Sequence, residues 1–229
     1  MSASRIAAPL PPRVYSFPLA IESDARLIAR RLRADAAAST AVISTETPLM
    51  RRFANAFAID WRAAGGTLPD VYKLEPSVDG LTAVRRSLQR KPASAVLLAL
   101  DSSNAALAKP YLGATPAYAS GLVFERVPDS VARDLDKLII VDIPWLLTPD
   151  APQFAKLPRA EFASNALTRL YAFGLDAFRV ARAFRDGPPT QFTLDGATGV
   201  VTLDGRQFAR EGRFAVFEAG RLVPLDVPR

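Results

Sequence analysis

The chain has 229 residues, 49% of them apolar and 23% charged, which allows one large domain or two small ones and a sizeable core. It contains no cysteine and no histidine, which excludes disulfides, thiolate nucleophiles, zinc–thiolate sites and the side chain that titrates nearest neutral pH. The formal charge of +6 is mostly arginine spread along the chain, paired only at Arg30-Arg31, Arg51-Arg52 and Arg85-Arg86, which argues against a nucleic-acid surface. No apolar run approaches the ~20 residues that span a bilayer. Residues 1–12 lack the charged-then-apolar order of an export signal and carry no lipidation cysteine, so this stretch reads as free of any anchor.

Residues 14–17 read as a short extended entry closed by Pro18. Glu22, Ser23 and Asp24 then open a helix with Ala25, Leu27, Ile28, Leu32 and Ala36 at helical spacing, the acidic start complementing the helix dipole. The β-branched run at 40–44 predicts a strand. Thr47 as cap and Pro48 at the first position open a second helix, with the face Leu49, Phe53, Ala56, Phe57 and Trp61, ended by Gly65-Gly66. Residues 70–74 read as strand and 81–88 as helix. Residues 95–100 form an uninterrupted apolar run, the pattern of a strand covered on both faces of a parallel sheet. Residues 104–112 read as helix, 116–119 as strand, and 138–141 as a second fully apolar strand.

This alternation predicts an α/β fold, a doubly wound five-stranded parallel sheet with helices on both faces, over residues 14–147. Residues 148–229 complete it differently. A proline-bearing connector at 148–158 leads into a long helix over about 160–184, whose apolar stripe is Ala163, Leu167, Leu170, Tyr171, Gly174, Phe178 and Ala181. Asp186-Gly187-Pro188-Pro189 breaks the helix. Strands follow at 192–194, 200–203 and 214–217, with hairpin turns at Asp195-Gly196 and Asp204-Gly205 and a further turn at Ala219-Gly220.

No glycine-rich phosphate loop follows any strand, because Gly65-Gly66-Thr67 ends a helix instead of starting one. In a doubly wound sheet, ligands bind at the C-terminal edge of the strands. That makes Asp101, Ser102, Tyr118, Ser120, Asp142 and Trp145 the candidate cleft or partner-binding residues. Plainer readings stand beside these: Asp101 or Ser102 caps the next helix, and Trp145 plugs the lobe's own core. Asp134 and Asp136 flank Leu135 before a strand, where a turn is the simpler reading than a catalytic pair. Ser-x-x-Lys does not occur. With histidine and cysteine missing as well, the chain reads as a non-enzyme with no cofactor and no metal.

Several stretches together carry a resemblance. They are Tyr15-Ser16-Phe17-Pro18-Leu19, Asp24-Ala25-Arg26, Gly65-Gly66, Asp134-Leu135-Asp136 and Pro144-Trp145-Leu146-Leu147, then Leu170-Tyr171-Ala172-Phe173-Gly174-Leu175-Asp176-Ala177-Phe178 and Leu194-Asp195-Gly196-Ala197-Thr198-Gly199. Over roughly residues 14–225 the chain resembles the C-terminal domain of the penicillin-binding-protein activator family, the LppC or LpoA lipoproteins. The resemblance implies a type 1 periplasmic-binding-protein fold, a periplasmic place at the outer membrane, and a bifunctional peptidoglycan synthase (a penicillin-binding protein) as partner. It brings no catalytic residue. It also implies a helical-repeat domain and a first lobe ahead of the segment matching Tyr15, which are not seen in this sequence.

The leading expectation is therefore a non-catalytic regulatory domain acting through a protein–protein surface. The alternative is a small-molecule receptor lobe using the strand-end residues. In relatives of this fold the long helix packs on the first lobe. Here Leu167, Leu170, Tyr171 and Phe178 mark a candidate assembly helix, expected to self-associate or to fold back on its own sheet.

Overall fold

The structure is a computed structural model; it describes residues 10–225 except Pro12 and 126–128, and leaves the side chains of 129–131 aside. Most of the stretch read as lacking an export signal lies outside the described residues.

Side-chain caps and end charges mark where the helices begin. Helix α1 (Ile21–Ala34) has Glu22 and Asp24 in its first turn and Arg31 and Arg33 in its last, the charge order that the helix dipole favours. Thr47 accepts from the Met50 amide to cap α2 (Pro48–Ala63), and Ser77 accepts from the Gly80 amide to cap α3 (Val78–Arg90). Helix α4 (Ser102–Ala108) is capped by Asp101, and a 3-10 turn follows at Lys109–Leu112. A short α5 spans Asp129–Asp134.

Between them run strands β1 (Thr40–Ser44), β2 (Asp70–Lys73), β3 (Ala95–Ala99), β4 (Ala117–Ser120) and β5 (Leu138–Asp142), all parallel, in the spatial order β2-β1-β3-β4-β5. In register, Val42 faces Leu97, Leu97 faces Tyr118, and Tyr118 faces Ile139. The two faces of these strands feed two cores. Val42, Leu97, Tyr118 and Val141 meet α1 and α2 through Ile28, Leu32, Phe53, Phe57 and Trp61. Ile43, Val96, Leu98 and Ile140 meet α3 and α4 through Leu81, Val84, Leu88 and Ala105. Central strands covered on both sides have no place for a polar alternate, which is why 95–100 is apolar throughout.

The expected five-stranded parallel sheet is present, and it is extended. After α6 (Pro144–Leu147) and α7 (Asn165–Ala183), strands β6 (Thr193–Gly196), β7 (Gly199–Asp204) and β8 (Gln207–Glu211) form a separate antiparallel sheet. Strand β9 (Arg213–Glu218) then returns to pair antiparallel with β5, with Ala215 opposite Ile140, and β10 (Arg221–Pro224) pairs with β9. The sequence run at 214–217 therefore belongs to the main sheet, which has seven strands. The period-2 pattern explains the placement: Phe214 joins the α1–α2 core, while Ala215 and Phe217 join the opposite one. An apolar β5 left as an edge would expose unpaired backbone groups, and β9 covers it.

Helix α7 packs on its own domain, but through the face opposite its apolar stripe. Its buried residues are Asn165, Arg169, Ala172, Asp176 and Val180. Leu167, Leu170 and Phe178 stay exposed, at 47%, 57% and 65%, and Tyr171 is half-buried.

Phe217 is 2% exposed and meets Phe124 edge-to-face, with ring centroids 6.2 Å apart. Phe217→Ala should cost roughly 3–5 kcal/mol in urea unfolding, the loss expected of a main-core aromatic. A loss below about 1 kcal/mol would mean that β9 is peripheral to the sheet.

Candidate functional site: a charged clasp at the strand-end edge

Six segments converge at the C-terminal ends of β4 and β5. Leu19, Ile21, Leu49, Leu122 and Ile143 wall a cleft of about 190 Å3, and Asp24, Arg52, Asp142, Arg169 and Arg210 supply its charges.

Arg169, on the first half of α7, is at the centre. Its Nε donates to Asp142 Oδ1 at 3.0 Å and its Nη2 to Asp142 Oδ2 at 2.7 Å, a bidentate pair at the end of β5. Nη2 also donates to the carbonyls of Gly121 (2.6 Å) and Phe124 (3.0 Å), and Nη1 to Glu125 Oε1 at 3.0 Å. The side chains of Arg169 and Asp142 are 8% and 2% exposed. The fit depends on Gly121: a Cβ there would lie 2.2 Å from Asp142 Cγ.

A second pair lies beside the first. Arg210 on β8 donates through Nη2 to Asp24 Oδ1 of α1 and through Nη1 to the Thr198 carbonyl, both at 3.0 Å. Its Nε is buried without a partner. Asp176, fully buried on α7, accepts from the amides of Ala197 (2.9 Å) and Thr198 (2.7 Å) and from the Thr198 hydroxyl (2.7 Å). Gly196 makes room for it, since a Cβ there would sit 2.4 Å from Asp176 Oδ2. The clasp thus links α1, β5, α7 and the small sheet through paired charge. Isolated charges at this depth would cost several kcal/mol each, so the pairing decides the geometry.

The strand-end residues singled out from the sequence are not brought together as a set. Asp101 caps α4, accepting from the Asn104 amide (2.9 Å) and side chain (2.9 Å). Ser102 is buried in the first turn of α4, its hydroxyl unpartnered. Tyr118 lies in the α1–α2 core, where burial pushes its phenol up from the usual value. Ser120 is buried and accepts weakly from the Leu122 amide at 3.4 Å. Trp145 sits in a small core with Phe154 and Ala172, edge-to-face on Phe154 at 5.2 Å, and Arg159 lies over its ring at 4.5 Å. Of the six, Asp142 alone lines the cleft. Arg169, Arg210, Asp24 and Asp176 were not among the sequence candidates. Among the described residues, no acidic cluster is grouped to hold a metal ion, and no helix is long and apolar enough to cross a membrane.

A family model described as "LppC putative lipoprotein" matches residues 70–220. The chain belongs to the LppC family. Among curated relatives, a protein of Edwardsiella piscicida named penicillin-binding protein activator LpoA is 26% identical, over 94% of this chain and 38% of that one. The Haemophilus influenzae protein of the same name is 24% identical, over 93% and 38%. The chain therefore spans about 38% of the length of these LppC relatives. Among solved structures, a "putative branched-chain amino acid ABC transporter" of Chromobacterium violaceum aligns at a TM-score of 0.81 and 30% identity, over 94% of this chain and 71% of that one. The C-domain of H. influenzae LpoA, described as a regulator of PBP1A, aligns at 0.75 and 22%, over 95% and 72%, a likeness of fold.

Two measurements test the clasp. Arg169→Met leaves Asp142 buried without its counter-charge and should cost about 3–5 kcal/mol in chemical denaturation, while Asp142→Leu combined with Arg169→Met should recover most of that loss. Equal losses in the single and double variants would contradict the pairing.

The second test is of pH. Burial raises the Asp24 carboxyl from 3.8 to about 6, Asp142 adding to the rise and Arg210 opposing it. A carboxyl raised on folding binds its proton more tightly in the native chain than in the unfolded one. Its ionised form therefore lowers stability: the contribution of Asp24 improves as pH falls from about 6 toward 4, and is lost as pH rises through 6. Asp24→Asn should remove that slope from unfolding free energies measured between about pH 4 and 7. An unchanged slope would show that Asp24 ionises normally.

Proposed function

We propose that this chain is a non-catalytic regulatory domain, acting by protein–protein contact on a bifunctional peptidoglycan synthase at the periplasmic side of the outer membrane. Membership of the LppC family supports this, as do the names of the relatives, two of which are called penicillin-binding protein activators. The observation that carries the reading against its main rival is the internal neutralisation of the cleft. Asp24 is paired with Arg210, Asp142 with Arg169, and Arg52 with Glu22 at 2.6 Å. An amino-acid ligand brings an ammonium and a carboxylate, and each needs a buried group of opposite charge. In this cleft, such a group would first have to abandon its present partner. The absence of histidine and cysteine removes the commonest acid–base and nucleophilic groups, which agrees with a regulatory role.

The experiment is reconstitution. The purified chain, added to the bifunctional penicillin-binding protein of its own organism, should form a complex and raise the rate of peptide cross-linking on lipid II. Absence of both would overturn the proposal. Thermal shift with leucine, isoleucine and valine should give no stabilisation, whereas a concentration-dependent rise in Tm would favour the receptor reading through linkage.

A further inference from the structure

A second pocket lies at the opposite end of the main sheet from the clasp, where β3 and β4 begin. Its volume is about 290 Å3, and it is formed between the second half of α3 and the segment joining α4 to β4. Buried Leu88 and Leu112 give it an apolar base, while Arg85, Gln89, Tyr111 and Thr115 bring polar groups to its sides. Gly113 makes the shape possible. Its backbone, at φ +61° and ψ −134°, is open to glycine almost alone, and no atom stands within 4 Å of the place of a Cβ. The turn it allows closes with the Thr115 amide donating to the Leu112 carbonyl at 3.3 Å, which carries Tyr111 and Thr115 to one pocket.

Those polar groups are not used within the domain. Among the described residues, none pairs with the Arg85 guanidinium, the Gln89 carboxamide or the Tyr111 hydroxyl. No carboxylate lines the pocket. Arg86 and Arg90 line a shallow depression on the other side of Gln89, so three arginines of one helix raise the positive potential here.

We propose that this pocket binds a saccharide bearing a single carboxylate, with Arg85 holding the carboxylate and Gln89, Tyr111 and Thr115 the hydroxyls. The volume is at the lower end of small-molecule pockets, which suits one sugar ring. A guanidinium takes a carboxylate through two parallel hydrogen bonds. A carboxamide and two hydroxyls offer both donors and acceptors, as the hydroxyls of a sugar require. The Tyr111 ring packs against the main core and, with Leu88 and Leu112, gives the C–H face of a sugar an apolar surface. An amino acid fits less well, because its ammonium would enter without a counter-charge. A compact dianion such as phosphate also fits less well, since α3 turns the negative end of its dipole toward this end of the sheet.

Backbone amide NMR on the intact chain tests this, with glucuronic acid as the probe and glucose, acetate and inorganic phosphate as controls. Glucuronic acid should shift the amides of Gln89, Tyr111, Gly113 and Thr115 saturably, with a Kd of about 1 mM or below. Each control should bind roughly tenfold more weakly or not at all. Arg85→Gln, at an exposed position, should weaken binding roughly tenfold with Tm unchanged, and Tyr111→Phe should weaken it several-fold. Arg62→Gln, the same loss of charge on α2, should leave binding as it is. Methyl glucuronide, blocked at the carbon that links sugars in a chain, separates two sources of the ligand. Equal affinity assigns the pocket to a residue at the end of a glycan, and loss of binding assigns it to a free sugar acid. No saturable shift up to about 20 mM overturns the proposal. So does acetate or phosphate binding as tightly as glucuronic acid, which would mark a plain anion patch, or an Arg85→Gln variant that binds normally. The titration contains no synthase, so its failure leaves the regulatory reading standing, and the converse holds.

Discussion

The bidentate pair between Arg169 and Asp142 fixes three segments at once: the end of β5, the turn after β4, and the first half of α7. Each of its hydrogen bonds is modest alone. Together they satisfy a guanidinium and a carboxylate that would otherwise be buried at a cost of several kcal/mol each. Once Arg169 is held, α7 has one rotational setting, and Asp176, seven residues along on the same face, reaches the amides of Ala197 and Thr198. That contact anchors the small sheet, which presents Arg210 to Asp24. The rotation of α7, and with it the direction of its apolar stripe, follows from charge pairing together with the burial of Ala172 and Val180, and not from the stripe itself.

This explains which parts of the structure are legible in the amino-acid sequence. The alternating apolar strands and the caps at Thr47 and Asp101 are local signals, and they predict the parallel sheet and its helices. The face of α7 is misread for a physical reason. By hydrophobicity, Leu167, Leu170 and Phe178 mark the side to bury, yet the buried side is Arg169, Ala172, Asp176 and Val180. Nothing local distinguishes an arginine destined for a carboxylate 27 residues away from one that is solvated. Arg210 and Asp24, 186 residues apart, are harder still. Two faint signals exist: Asp176 shares a helix face with Ala172 and Val180, and Gly121 and Gly196 stand where a Cβ would collide with a carboxylate.

The strand-end candidates divide in the same way. Asp142 lies in the clasp because it ends β5, a position that topology alone assigns to the cleft edge. Asp101 and Trp145 follow the ends of β3 and β5, and Tyr118 lies within β4, but all three are absorbed by capping and core packing. A strand-end position says where a side chain starts, while its partners decide where it points.

Placing β9 beside β5 has a consequence for how the chain acquires its shape. Ile140 and Ala215 pair across 75 positions of sequence, so this contact closes the longest loop in the main sheet. Contacts of such separation form late and slow the search for the native state. During synthesis the apolar β5 emerges well before its neighbour, and its open edge waits for the last strands to leave the ribosome. At ≈ 5–20 residues per second, that wait is on the order of several seconds. Through that interval the unpaired edge of β5 is open to wrong pairing.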